Sequence, residues 1–240
     1  MTQENVKIFK HKNKTELFSE TANRCLEQLT QSLAENGKAS FIIPGGTTPG
    51  PAFEQLSKAN LAWENITIAQ SDERWVAAEH PQSNQRLTEQ TLLINQAKHA
   101  NYIAMKNQQA SAKLGEAQCD SEYRAMQNPF SLTMLGMGLD GHIASLFPNK
   151  KIIDSALIQN KEKLCMAIDA TGCEVAGDYP ERMSLTFSGI LNSELILILM
   201  IGNAKFEVIN QALNNTDPLK FPISVLLSQT ETPVEIHWCE

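Results

Sequence analysis

Seven consecutive apolar residues, Leu195 to Ile201, constrain this chain more than any other stretch of its 240 residues. The run is too short to span a bilayer. An apolar run without polar alternation fits a strand covered on both faces, as in a parallel sheet with a helical layer on each side. It ends at Gly202-Asn203, where Asn203 is placed to cap a helix that carries Phe206, Ile209 and Leu213 inward.

The same unit recurs along the chain. Val6 to Phe9 reads as an edge strand, and Thr15 to Glu35 as an amphipathic helix with Phe18, Ala22, Cys25, Leu29 and Leu33 on one face. Ser40 to Ile43, Ile66 to Ala69, Asn101 to Met105, Ser131 to Leu135 and Lys163 to Ile168 read as further strands. Between them fall helices that begin at Pro49 with Phe53 and Leu56 buried, at Asn84 with Leu87, Leu92 and Leu93 inward, and at Ser111, running to Met126. This alternation predicts an α/β fold, a doubly wound and mainly parallel open sheet with helices on both faces. No linker, repeat or low-complexity tract divides the chain, so residues 1–240 are expected to form one domain.

In such a sheet ligands bind beyond the carboxyl ends of the strands, and the loops there carry the chemistry-bearing residues. The first is Pro44-Gly45-Gly46-Thr47-Thr48-Pro49, with Thr48 placed to cap the helix that begins at the proline. Paired glycines, paired hydroxyls and a helix N-terminus together make a phosphate cradle. The second loop, Ser71 to Val76, holds Asp72, Glu73 and Arg74 beside Trp75. The third runs from Gly136 to Phe147, and there Gly136, Gly138 and Gly141 offer positive φ and close approach while Asp140 and His142 supply a carboxylate and an imidazole. A glycine-flanked loop histidine is poorly suited to core packing and well suited to proton transfer near neutral pH. Ile143 to Phe147 is expected to continue as one or two helical turns before Pro148. Two cations complete the set, Arg182 before Met183 and Lys205 in the first turn of a helix, where a positive charge opposes the dipole unless an anion lies near. On the residues alone, a plain turn, a solvated charge run and surface cations stay open as alternatives.

The net charge of −7 argues against a nucleic-acid or membrane-surface partner, whereas a small anion needs only two or three placed cations. The N-terminus has no apolar core of the signal-peptide kind, so a cytoplasmic protein is expected. Five scattered cysteines without C-x-x-C spacing indicate neither a disulfide framework nor a structural zinc site, and no metal is expected.

Six segments then carry a family resemblance over nearly the whole chain: FIIPGGTTP at Phe41, SDERWV at Ser71, SNQRLTEQTLL at Ser83, LGMGLDGHIASLFP at Leu135, ERMSLT at Glu181 and GNAKF at Gly202. Their order is similar to that of the 6-phosphogluconolactonases. The wider superfamily also holds glucosamine-6-phosphate deaminases and isomerases, which share the double-glycine and G-x-D-G-H loops. Asp140-Gly141-His142 is followed here by Ile-Ala-Ser-Leu-Phe-Pro rather than the deaminases' usual I-A-F-N-E-P, and Asp72-Glu73-Arg74 resembles the lactonase D-E-R. Thr47 replaces a frequent serine, Ile143 replaces a frequent threonine, and the usual proline cluster before Arg182 is absent.

The resemblance implies a Rossmann-like fold of the sugar-phosphate isomerase/deaminase type. It also implies hydrolysis of 6-phosphoglucono-δ-lactone in the pentose phosphate pathway, without cofactor or metal, by a monomer or homodimer. His142 would activate water and Asp140 would support it. Gly45, Gly46, Thr47, Thr48, Arg74, Arg182 and Lys205 would hold the phosphate, and Asp72, Gly138 and Gly141 would contact the rest of the substrate. The rivals are a deaminase or isomerase with Asp72 as its base, and a non-catalytic sugar-phosphate sensor.

Overall fold

The computed structural model of the chain describes residues 5–155 and 163–240. In chain order its strands are β1 (Val6–Lys10), β2 (Ala39–Ile43), β3 (Ile66–Gln70), β4 (Asp72–Arg74), β5 (Asn101–Ile103), β6 (Leu132–Leu135), β7 (Cys165–Asp169), β8 (Glu181–Leu185), β9 (Ile196–Ile201) and β10 (Val234–Cys239). The helices are α1 (Lys14–Asn36), α2 (Gly50–Leu56), α3 (Asn84–Thr91), α4 (Ala112–Arg124), α5 (Lys150–Asp154), α6 (Phe187–Leu191), α7 (Asn203–Asn214) and α8 (Ser224–Ser228).

Seven strands form one parallel sheet in the order β1-β10-β9-β6-β2-β3-β5. The doubly wound α/β architecture expected from the alternation is therefore present. β9 shows why its run is unbroken: Ile196, Ile198 and Met200 enter the core on one face, while Leu195, Leu197 and Leu199 enter the core on the other. The second face is covered by Leu17, Cys25 and Leu29 of α1 with Phe53 and Leu56 of α2. α1 is bounded as its residues dictate, with the Asn13 side chain accepting from Glu16 N at 3.0 Å and Gly37 ending it at φ 70°.

Several local expectations need correction. Ser71 to Val76 is not a loop, because β4 leaves the main sheet and pairs with β8, which pairs with β7 in a second, antiparallel sheet. Ile143 to Phe147 forms no helix; an Ile143–Leu146 bridge closes a turn with Ala144 at φ 49°. Thr48 does not cap α2, whose N-cap is Pro49 without a side-chain bond, and α7 starts from Gly202 at φ 102° rather than from an Asn203 cap. The strand at Asn101 stops at Ile103, and part of the strand expected from Lys163 begins only at Cys165.

Strand β10 is absent from the sequence expectations because Glu235 and His237 interrupt its apolar residues. Both are buried against α1 and β1: Glu235 accepts from Arg24 Nε at 2.9 Å and Nη2 at 3.2 Å, and His237 Nδ1 meets His11 Nε2 at 3.1 Å. Burial alone would raise the Glu235 carboxyl, but hydrogen bonds and charge from His237 and Arg24 outweigh it and hold the group down at about 2. Because the folded chain favours the carboxylate, this contribution to stability is complete above the ordinary glutamate range and is lost as pH falls through that range toward 2. It amounts to about 3 kcal/mol. The melting temperatures of the parent and of Glu235→Gln are expected to converge as pH is lowered from about 6 to about 3. A gap that stays constant across that range would rule the interaction out as the cause.

Candidate functional site

The order of the main sheet reverses between β2 and β6: the chain winds outward from β2 through β3 to β5, then returns to β6 and winds the other way through β9. A cleft lies beyond the ends of these strands, at the reversal, where their loops diverge. Its volume is about 290 Å³, and its walls include Pro44 to Gly46, Thr48, Asp72, Arg74, Asn84, Gly136 to Gly138, His142, Phe147, Arg182 and Lys205. Nine of the residues singled out from the sequence thus meet here: Gly45, Gly46, Thr48, Asp72, Arg74, Gly138, His142, Arg182 and Lys205. Thr47, Asp140 and Gly141 do not line it.

The loop after β2 leaves its backbone donors free. No hydrogen bond among the described residues engages the N–H groups of Gly45, Gly46, Thr47 or Thr48. Gly46 sits at φ 80°, which a side chain would resist, whereas Gly45 is required for space: a Cβ there would overlap the Asn84 amide. Asn84 was not singled out as a site residue, although it lies in the SNQRL segment. It is 4% exposed and donates to the Asp72 carbonyl at 2.8 Å, so it locks the cradle onto β4.

The loop after β6 fixes an imidazole. Asp140 Oδ1 lies 2.6 Å from His142 Nδ1 and accepts from His142 N at 3.2 Å. Burial opposes ionisation of Asp140, but the hydrogen bond and charge of His142 hold its carboxyl below the ordinary range. A carboxylate on Nδ1 keeps the proton there and leaves the Nε2 lone pair available. Phe147 packs against the ring at a tilt of 49°, with centroids 4.8 Å apart. Gly138 is glycine because a Cβ would strike His142 and Asp140. Of the three loop glycines only Gly141 has positive φ, at 76°, and it packs against Phe221. The N–H groups of Gly138 and Gly141 are engaged inside the loop, by His142 O at 2.9 Å and Gly138 O at 3.1 Å.

Three cations, Arg74, Arg182 and Lys205, line the cleft with this imidazole. Arg74 of β4 and Arg182 of β8 are direct cross-strand partners, a like-charge pairing that costs stability unless an anion lies between them. Burial, and then the Arg74 charge, lower the affinity of Arg182 for its proton. Lys205 is also made less basic by burial, and no hydrogen bond or ion pair among the described residues engages its ammonium. Asp72 is committed otherwise: Oδ2 accepts from Ser145 Oγ at 2.6 Å and lies 4.0 Å from Arg182 Nη1, and Oδ1 faces Ser71 Oγ at 3.3 Å.

Glu73 carries no mark of a functional residue in the sequence, yet it holds the wall together. It is 1% exposed; Oε1 accepts from Arg74 N and Asn84 N, and Oε2 from Gln85 N, Gln70 Nε2 and Ser83 Oγ. Burial raises its carboxyl above the ordinary range, against the pull of these donors.

A family model described as glucosamine-6-phosphate isomerases/6-phosphogluconolactonase matches residues 12–238. The chain belongs to this family. A 6-phosphogluconolactonase of Xylella fastidiosa is 35% identical over 224 residues, covering 92% of each chain. The crystal structure of a 6-phosphogluconolactonase from Shewanella baltica superposes with a TM-score of 0.93 at 32% identity, over 100% of both chains. A monomeric glucosamine-6-phosphate deaminase shares the fold, with a TM-score of 0.75 at 17% identity over 98% of this chain and 97% of that one. The resemblance drawn from the six motifs therefore holds, and the family fold places all six around or beneath the cleft. Among the described residues no helix is long and apolar enough to cross a membrane.

Proposed function

We propose that this chain, acting as one domain, hydrolyses 6-phosphoglucono-δ-lactone to 6-phosphogluconate in the pentose phosphate pathway, with His142 as general base. The observation that carries the reading is the Asp140–His142 pair, which presents a free Nε2 to a cleft walled by Arg74, Arg182 and Lys205. The relatives named as lactonases support it at the level of reaction.

In this mechanism the phosphate rests on the three cations and the N–H groups of residues 45–48, and its binding energy orients the ring. His142 Nε2 takes a proton as water attacks C1. The tetrahedral oxyanion then collapses, the bond from C1 to the ring oxygen breaks, and the imidazolium returns its proton to that oxygen. Asp140 keeps its negative charge throughout and stabilises the imidazolium. With the Gly138 and Gly141 N–H groups engaged inside the loop, oxyanion stabilisation falls to other donors of the cleft. The deaminase reading needs Asp72 as a free base, whereas its oxygens are held by two serine hydroxyls beside a guanidinium.

The deciding assay compares lactone disappearance with the spontaneous rate, and ammonia release from glucosamine 6-phosphate in parallel. Lactone turnover without ammonia is expected; the reverse pattern would transfer the chain to the deaminase branch. Lys205→Ala tests the phosphate site without removing any side-chain hydrogen bond or ion pair found among the described residues. Its KM is expected to rise roughly tenfold to a hundredfold with a smaller change in kcat, the worth of one charge-assisted contact. An unchanged KM would move the phosphate elsewhere.

A further inference from the structure

The mutual repulsion of Arg74 and Arg182 means that something must fix where each guanidinium points before an anion arrives. Each is held by carbonyls of a different connection. Arg74 Nη1 donates to Gln82 O at 2.6 Å, and Arg182 Nε and Nη2 donate to Tyr179 O and Ala176 O at 2.6 and 2.8 Å. The two connections lie far apart in sequence, yet they meet. The Tyr179 hydroxyl is 3.3 Å from His80 Nε2, and the two rings pack edge to face with centroids 4.9 Å apart. His80 is itself fixed, because its Nδ1 accepts from Gln82 N at 3.1 Å and its own N–H donates to Ala77 O at 3.0 Å. With Nδ1 an acceptor, the ring proton sits on Nε2 and points at the tyrosine oxygen. A continuous path thus runs from Arg74 through Gln82, His80 and Tyr179 to Arg182. Neither His80 nor Tyr179 lines the cleft.

We propose that His80 and Tyr179 form a clasp that sets the separation of the Arg74–Arg182 pair, so that both are positioning residues for the anionic end of the substrate. The clasp acts at a distance from the reacting carbon, so it governs binding of the phosphate rather than the rate of the chemical step. Its effect on turnover rests on the lactonase reading; its effect on anion affinity does not.

The test uses Tyr179→Phe, which removes one hydroxyl and keeps both the ring and the carbonyl that holds Arg182, together with His80→Phe and the double variant. Inorganic phosphate is titrated into each by calorimetry, and lactone turnover is measured alongside. Each single variant is expected to weaken phosphate about twofold to tenfold, the range of one neutral hydrogen bond. The double variant should be no weaker than the worse single one, since both break the same link. In turnover, KM should follow phosphate affinity while kcat stays within about twofold. Parental phosphate affinity in both single variants, or effects that multiply in the double, would overturn the clasp even with lactone turnover intact. A parent inactive on lactone whose Tyr179→Phe form still loses phosphate affinity would instead overturn the lactonase reading and leave the clasp in place.

Discussion

Replacing His142 with alanine is expected to lower kcat for lactone hydrolysis by roughly two to four decades, the usual worth of a positioned general base. Folding and affinity for 6-phosphogluconate should stay near parental, because His142 is a partly exposed loop residue whose side chain, among the described residues, hydrogen-bonds to Asp140 alone and packs on Phe147. Asp72→Asn is the informative partner. An amide at that position keeps its contacts with Ser145 and Ser71, so the loss in kcat should be far smaller than for His142→Ala. The isomerase reading demands the opposite ranking, since its base cannot act as an amide. Near-full lactonase activity in His142→Ala, with Asp72→Asn inactive, would reassign both residues while leaving the family intact.

Glu73→Ala is expected to cost at least about 3 kcal/mol of stability, because five donors lose one buried acceptor group and three of them are backbone N–H groups that cannot turn to another partner. For a chain of this length that is a fall in melting temperature of roughly 6–12 °C. Affinity for phosphate should fall with it, since Glu73 ties Arg74 of β4 to Asn84 at the start of α3. A melting temperature within about a degree of the parent would show that the wall is held by its apolar contacts instead. Far-UV circular dichroism of the variant separates local loosening from loss of the sheet.

Much of the site could be read in advance because its residue types have few other uses. Paired glycines before a helix, and a histidine two residues after an aspartate in a glycine loop, carry their chemistry locally, so Gly45, Gly46, Asp140 and His142 stood out without coordinates. Glu73, Asn84, Ser145 and Phe147 carried no such mark. Their roles arise mainly from partners between 10 and 73 residues away along the chain, or from a ring placed against another ring. Glu73 in particular reads as one more charge in a polar run, and only its five donors distinguish it. The helical turns expected after His142 fail partly for the same reason: the Ile143–Leu146 bridge closes a turn in their place, and Ser145 N donates to Ser184 Oγ, 39 residues on, at 3.1 Å.

The sequence by itself determined the parallel, doubly wound sheet and the rim on which the chemistry would sit. An unbroken apolar strand such as Leu195 to Ile201 has no soluble alternative to burial on both faces, and strand–helix alternation leaves few ways to arrange that burial. Tertiary structure alone decided β10 and the second sheet. Glu235 and His237 forbid burial on local grounds, and they become tolerable in a central strand only because Arg24 and His11 arrive from α1 and the segment before it to complete their hydrogen bonds. Likewise Arg74 and Arg182 are two ordinary cations until β4 and β8 pair antiparallel and set them face to face. Charge burial and like-charge opposition depend on partners distant in sequence, and no local pattern can encode them.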